Sequence, residues 1–227
     1  MHVRKIRESL RWRGPWIACL LFLRELFKPV LYWYVLNIYE TDISAEISQP
    51  YSRESAEVTT YTAADDVSTI QPSLNSINAL STAQLALRFQ RGDAVVVASF
   101  SGRPVGYMWL AFATGIELEF GTCWIIRGGE ALRYDSFVIP SCRGRGVHSI
   151  LNAAANAYAR ERGAIRTLGS TSALNPQSLS LPKHYNRAIA MTLLLVRFRF
   201  RSFTIRKSFR APLTSRFSWP GSNNLSA

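Results

Sequence analysis

The chain has 227 residues, of which 48% are hydrophobic and 12% aromatic, with a formal net charge of +12. That apolar content excludes general disorder, and the length suits one domain with an appendage better than two full domains. Cys19, Cys123 and Cys142 stand in no paired metal-ligand spacing, which argues against a disulfide framework and a zinc site and fits a reducing compartment; no metal is expected. The pI near 10.2 implies an anionic partner, whether phosphate, nucleic acid or acidic lipid.

Residues 1–40 mix bases with an apolar stretch from Trp16 to Leu36. Arg24, Glu25, Lys28 and Pro29 cut that stretch short of the roughly 20 apolar residues a bilayer crossing needs. A signal peptide is disfavoured because the apolar region starts late and no small-x-small site follows. The segment reads as a helix or helix pair, lying either on an anionic membrane surface or on the main domain or a second subunit of a homodimer. Residues 41–55 are polar, contain Pro50 and read as a linker into a main domain spanning 56–211.

Within that domain Glu57–Thr62 has strand propensity, and Ala79–Arg91 reads as a helix stopped by Gly92. Ala94–Phe100 and Val105–Phe112 form a hairpin around Ser101-Gly102-Arg103-Pro104. From Thr114 to Gly129 the signal is weak, although Cys123–Ile126 suits a strand. Next comes a central strand in which Leu132, Tyr134, Ser136 and Val138 alternate with Arg133, Asp135, Phe137 and Ile139 until Pro140. Val147, Ile150, Leu151, Ala154 and Tyr158 fall on one face of a helix that Gly163 ends. Ile165–Gly169 is a short strand, which makes a right-handed strand–helix–strand crossover. Asn175-Pro176 favours a turn. Ala188–Arg201 is strand-like in its later part, where Arg197, Arg199 and Arg201 alternate with phenylalanines; this is an edge strand or, in another function class, a strand that binds nucleic acid. Residues 212–227 read as a loose tail.

Between the central strand and the amphipathic helix stands Arg143-Gly144-Arg145-Gly146-Val147-His148. Backbone N–H groups converging at a helix N-terminus favour phosphate, and glycines let the main chain approach it closely. Ser149 stands where a Rossmann turn needs its third glycine, and the P-loop Gly-Lys-Ser/Thr is missing.

This segment resembles the Arg/Gln-x-x-Gly-x-Gly/Ala signature of the GNAT acyltransferases, with His148 at the usual small position. The order of elements from about Ala56 to Arg201 is also similar, with Asn175 and Ser178 where many members carry Asn-x-x-Ser/Ala. The resemblance implies an α/β (α+β) fold, a mixed, centrally splayed sheet flanked by helices, here with an N-terminal helical extension. It implies acetyl-CoA or another acyl-CoA as co-substrate, with pantetheine on the backbone near Val138, pyrophosphate on Arg143, Gly144, Arg145, Gly146, Val147 and His148, and Asn175 as a further contact.

The His148 side chain either turns away from the coenzyme or contacts a phosphate itself. The family's Tyr-x-x-x-Gly-Phe segment is replaced by His184-Tyr185-Asn186-Arg187-Ala188. Asp135 and Glu130 are candidates for a base, with a salt bridge to an arginine as the alternative for Asp135, and Tyr185 is the candidate acid. The implied activity is acyl transfer to an amine by direct attack in a ternary complex. The acceptor would be a small molecule, or a glycan precursor if the N-terminal segment holds the enzyme against the inner face of a membrane; otherwise the enzyme is cytoplasmic. The alternatives are a membrane-associated scaffold of the same fold without turnover and a basic nucleic-acid-binding protein; nucleic acid is the less favoured partner.

Overall fold

The computed structural model describes residues 15–27, 30–44, 56–65, 67–77, 80–113, 116–117, 123–175, 188–198, 201–208 and 217–218. In chain order the elements are α1 (Pro15–Phe27), β1 (Leu31–Asp42), β2 (Glu57–Tyr61), α2 (Val67–Ile77), α3 (Thr82–Gln90), β3 (Ala94–Phe100) and β4 (Arg103–Ala111). There follow β5 (Cys123–Trp124), β6 (Glu130–Val138), α4 (Val147–Glu161), β7 (Arg166–Ser172), β8 (Ala188–Phe198), β9 (Arg201–Ser208) and β10 (Phe217–Ser218). They fall into two compact units: Asp42–Thr114 with Ile126–Gly169, and Met1–Thr41 with Gly115–Ile125 and Ser170–Ala227.

In the first unit β2, β3, β4, β6 and the start of β7 lie side by side in that order, antiparallel except for the parallel β6–β7 pair. β3 is a continuous apolar run because both its faces are covered. Val95 and Val97 pack with Ile70 and Leu74 of α2 and Leu85 and Phe89 of α3. Val96 and Ala98 pack with Leu151 and Ala155 of α4. The expected hairpin forms, and Ser101 (φ 48°) and Gly102 (φ 73°) supply the left-handed pair that a tight turn between twisted strands requires.

Gly106 is a glycine for want of space. A β-carbon there would stand 2.9 Å from the Phe137 carbonyl oxygen and 3.2 Å from Leu151 Cδ1, so β6 and α4 would both have to yield. Gly106→Ala is expected to cost about 2 kcal/mol of stability, read as a lower urea midpoint at unchanged slope.

The helix expected over Ala79–Arg91 is trimmed to Thr82–Gln90 by a capping box. Ser81 Oγ accepts the Gln84 N–H and Gln84 Oε1 accepts the Ser81 N–H. α2 precedes it although Pro72 lies in its interior. Burial of Ile70 and Leu74 outweighs the hydrogen bond that the proline removes.

The second unit corrects the reading of residues 1–40 as wholly helical. Of the described residues up to Asp42, only Pro15–Phe27 are helix; Leu31–Asp42 is a strand, paired antiparallel with β8 from Leu31↔Phe198 to Glu40↔Ala188. The cause is local. α1 is leucine-rich, whereas Tyr32, Trp33, Tyr34, Val35 and Ile38 are aromatic and β-branched, and Pro29 separates the two.

β8 continues antiparallel into β9, so residues 201–208 form a strand of their own. The linker boundary also shifts. β1 runs through Thr41 and Asp42, and Ile43 is fully buried with its N–H on the Ile165 carbonyl. In the expected loose tail, Phe217–Ser218 pairs with Cys123–Trp124.

Candidate functional site

The sheet of the first unit opens along β6. Its parallel pairing with β7 runs from Glu130↔Arg166 to Arg133↔Gly169, and Tyr134–Val138 lie beyond it. On the other side β4 stays paired as far as Gly106↔Val138. The Ile139 N–H bonds the Val105 carbonyl on β4, so the alternation of backbone groups turns the Val138 N–H and C=O away from β4. The Val138 carbonyl accepts Arg143 Nε at 3.1 Å.

After Pro140–Cys142, a single 3₁₀ turn, the chain makes two left-handed steps, Gly144 (φ 79°) and Gly146 (φ 87°, ψ 0°), and Gly146 caps α4. Ser149 and Ile150 are the first amides to bond the Gly146 carbonyl, and helix geometry gives the amides before them no intrahelical acceptor. A β-carbon on Gly144 would meet nothing within 4 Å, so the main chain faces open space there. The arginines fold beside the turn. The Arg143 guanidinium lies 5.8 Å from the Phe137 ring centroid, and that of Arg145 lies 4.7 Å from Phe100.

The expected strict alternation along β6 fails at one residue. Trp109 pairs with Tyr134 and Met108 with Ser136, which leaves Asp135 as the extra residue of a β-bulge at φ 41°. Beyond it the faces exchange. Tyr134 and Phe137 both pack in the cluster under α2 and α3, while Val138 packs on the α4 side.

Asp135 therefore turns toward α3, where its carboxylate takes Arg88 NH1 at 2.6 Å and the Tyr107 hydroxyl at 3.2 Å. The expected alternative of an arginine salt bridge is met by Arg88. The Arg88 guanidinium also stacks 4.7 Å from the Trp109 ring and 5.2 Å from Tyr134.

Beneath this cluster lies a network that the sequence reading did not contain. The Asp93 side chain is fully buried and accepts Arg91 through Nε and NH2 and the Tyr134 hydroxyl. Arg91 NH2 also reaches the Tyr134 oxygen at 3.1 Å. Burial first, then the bond to Asp93, pushes the Tyr134 phenol well above the ordinary tyrosine range. The bond to Asp93 raises Arg91 as well.

His148 turns along its own helix. Asn152 Nδ2 stands 2.7 Å from His148 Nδ1 and 2.8 Å from the His148 carbonyl, and Arg133 NH1 donates to Asn152 Oδ1 at 2.8 Å. The order of atoms follows from chemistry. Arginine only donates, so Asn152 must present its oxygen to Arg133 and its NH₂ to the ring; Nδ1 accepts and the proton sits on Nε2. Asn152→Asp, which offers the ring an acceptor, is expected to move the proton to Nδ1. Long-range ¹H–¹⁵N spectra read this as an exchange of the two ring-nitrogen shifts.

Among the other expected residues, Glu130 opens β6 at the end opposite Val138. Its side chain is fully buried, paired with Arg166 Nε at 3.0 Å and accepting the Arg127 N–H. This is a strand-to-strand tie, distant along β6 from the glycine turn. Asn175 belongs to the other unit, where its N–H bonds the Ser172 carbonyl in the turn after β7. Tyr185 lies outside the described residues.

A bulged central strand, a glycine turn and a helix feeding a parallel strand define the mixed α/β fold anticipated from the turn motif. Residues 62–184, more than half of the chain, match the description "Acetyltransferase (GNAT) family". The chain belongs to the GNAT acetyltransferase family.

Solved structures agree at the level of fold. A tandem GNAT protein from the clavulanic acid biosynthesis pathway is 11% identical over 75% of this chain and 55% of its own, with a TM-score of 0.52. A GNAT-family acetyltransferase from Colwellia psychrerythraea is 13% identical over 81% and 63%, with a TM-score of 0.50. A functionally unknown conserved protein from Staphylococcus epidermidis is 8% identical over 78% and 67%, also at 0.50. The chain thus spans between about half and two thirds of the length of these proteins. No curated protein matches it in sequence.

Proposed function

We propose that the protein transfers an acetyl or other acyl group from acyl-CoA to an amine acceptor by direct attack in a ternary complex. The observation that carries this reading is the left-handed Gly146 opening a fifteen-residue helix directly after the splayed half of β6. Two glycines at positive φ and the open space at Gly144 fit a diphosphate, which main-chain amides from Gly144 to His148 would hold, with Arg143 and Arg145 beside them. The Val138 N–H, turned away from β4, suits a pantetheine carbonyl.

The coenzyme supplies the thioester. When the acceptor nitrogen bonds the acyl carbon, the carbon–sulfur bond breaks and sulfur leaves as thiolate, to be protonated from the medium or by an acid. Asp135 is the carboxylate in the second half of β6, and we assign it the ammonium proton; Tyr107 and Arg88 hold it in place. Positioning supplies the rest of the rate.

The test is release of CoA thiol from acetyl-CoA with a panel of primary amines and amino sugars. Turnover is expected with at least one of them; binding of acetyl-CoA without turnover across the panel would favour a scaffold. Asp135→Asn is expected to lower kcat by about 100-fold with acetyl-CoA affinity unchanged.

A further inference from the structure

α1 displays bulky apolar side chains to solvent. Trp16 is 83% exposed, Leu26 59%, Phe27 50%, Phe22 48% and Leu20 42%. Advancing about 100° per residue, these five and Cys19 occupy an arc of about 160°. Glu25 falls outside that arc.

Size limits what this face can meet. A helix of 13 residues is about 20 Å long, short of the roughly 30 Å hydrocarbon core, and among the described residues no helix is long and apolar enough to cross a membrane. Charge selects the partner. Residues 1–28 hold seven Lys or Arg, at positions 4, 5, 7, 11, 13, 24 and 28, against two Glu, at positions 8 and 25. A bulky apolar arc with aromatics at both ends and a basic flank complements an anionic bilayer, where tryptophan settles at the headgroup level and cations find lipid phosphate.

We infer that α1 docks the protein on an anionic membrane surface, lying in the headgroup plane with Trp16 at the headgroup level and Leu20 and Phe27 toward the acyl chains. The docking does not depend on the proposed acyl transfer.

The experiment is flotation of the full chain with vesicles of phosphatidylcholine alone or mixed equally with phosphatidylglycerol. Binding is expected with the mixed vesicles, to weaken with added salt, and to fall about tenfold or more on phosphatidylcholine alone. A Leu20→Glu, Phe27→Glu double variant is expected to lose flotation at unchanged acetyl-CoA affinity. An Arg11→Glu, Arg13→Glu variant, which leaves the apolar arc intact, should weaken binding to the mixed vesicles only. Failure of the wild type to float with anionic vesicles, or equal flotation of the Leu20/Phe27 variant, overturns the inference. A dimer by analytical ultracentrifugation that this variant dissociates, with no flotation, assigns the face to a second copy instead.

Discussion

Gly146→Glu is expected to lower acetyl-CoA affinity by about 100-fold or more, a loss of about 3 kcal/mol, in calorimetry on the folded protein. A carboxylate at the helix N-terminus would repel the diphosphate it displaces; the side chain at φ 87° adds about 1 kcal/mol of backbone strain, which lowers stability and not affinity. The fold is expected to survive, because β6 and α4 pack on each other through Met108, Val138 and Leu151, and the urea midpoint of the variant checks this. Gly144→Ala is the graded comparison. Its φ of 79° carries similar strain, but a β-carbon there meets open space, so its effect on affinity should be clearly the smaller.

Asp93→Ala is expected to destabilise the protein by about 2 to 3 kcal/mol, the cost of leaving the part-buried Arg91 guanidinium and Tyr134 hydroxyl without their acceptor, measured as a fall in the urea midpoint. Asp93 is the acceptor for both Arg91 and Tyr134, and its loss leaves a guanidinium and a phenol without their shared carboxylate. The same network sets a pH dependence. The Tyr134 phenol titrates higher folded than unfolded, so its contribution is fully present below the ordinary tyrosine value of about 10 and is lost as pH rises above it. Ultraviolet titration should find this tyrosine ionising after those exposed to solvent.

The parts of the fold legible in the sequence were those governed by local pattern. The β3–β4 hairpin, β6, the glycine turn and α4 are each set by residues within a few positions: Ser101-Gly102, Pro140, Gly146 and the apolar face of α4. α2 was hidden because Pro72 masks a helical spacing of Val67, Ile70, Leu74 and Ile77, which only burial against β3 and β4 stabilises. β1 was hidden by continuity of hydrophobicity across Pro29; the change from leucine to aromatic and β-branched residues was the available signal.

At the site, the turn was visible and the side-chain chemistry was not. A bulge shifts alternation by one residue, and nothing in Tyr134-Asp135-Ser136 marks it; the register with β4 does. For that reason Asp135 and Phe137 were rightly placed on one face and Tyr134 wrongly on the other. Arg88, Arg91 and Asp93 meet Tyr134 or Asp135 across more than forty positions, a separation that spacing rules do not cover. His148 settles along α4 because Asn152 stands one turn away, a pairing readable in sequence as i, i+4.

The most direct measurement is a titration of ¹⁵N-labelled protein with acetyl-CoA, following the backbone amides. The main-chain N–H groups of Gly144, Gly146, Val147 and His148 should show the largest shifts, and 4′-phosphopantetheine, which lacks the diphosphate, should move them far less. Shifts concentrated elsewhere in the chain, or equal responses to the two ligands, would contradict the assignment of this turn as the diphosphate seat.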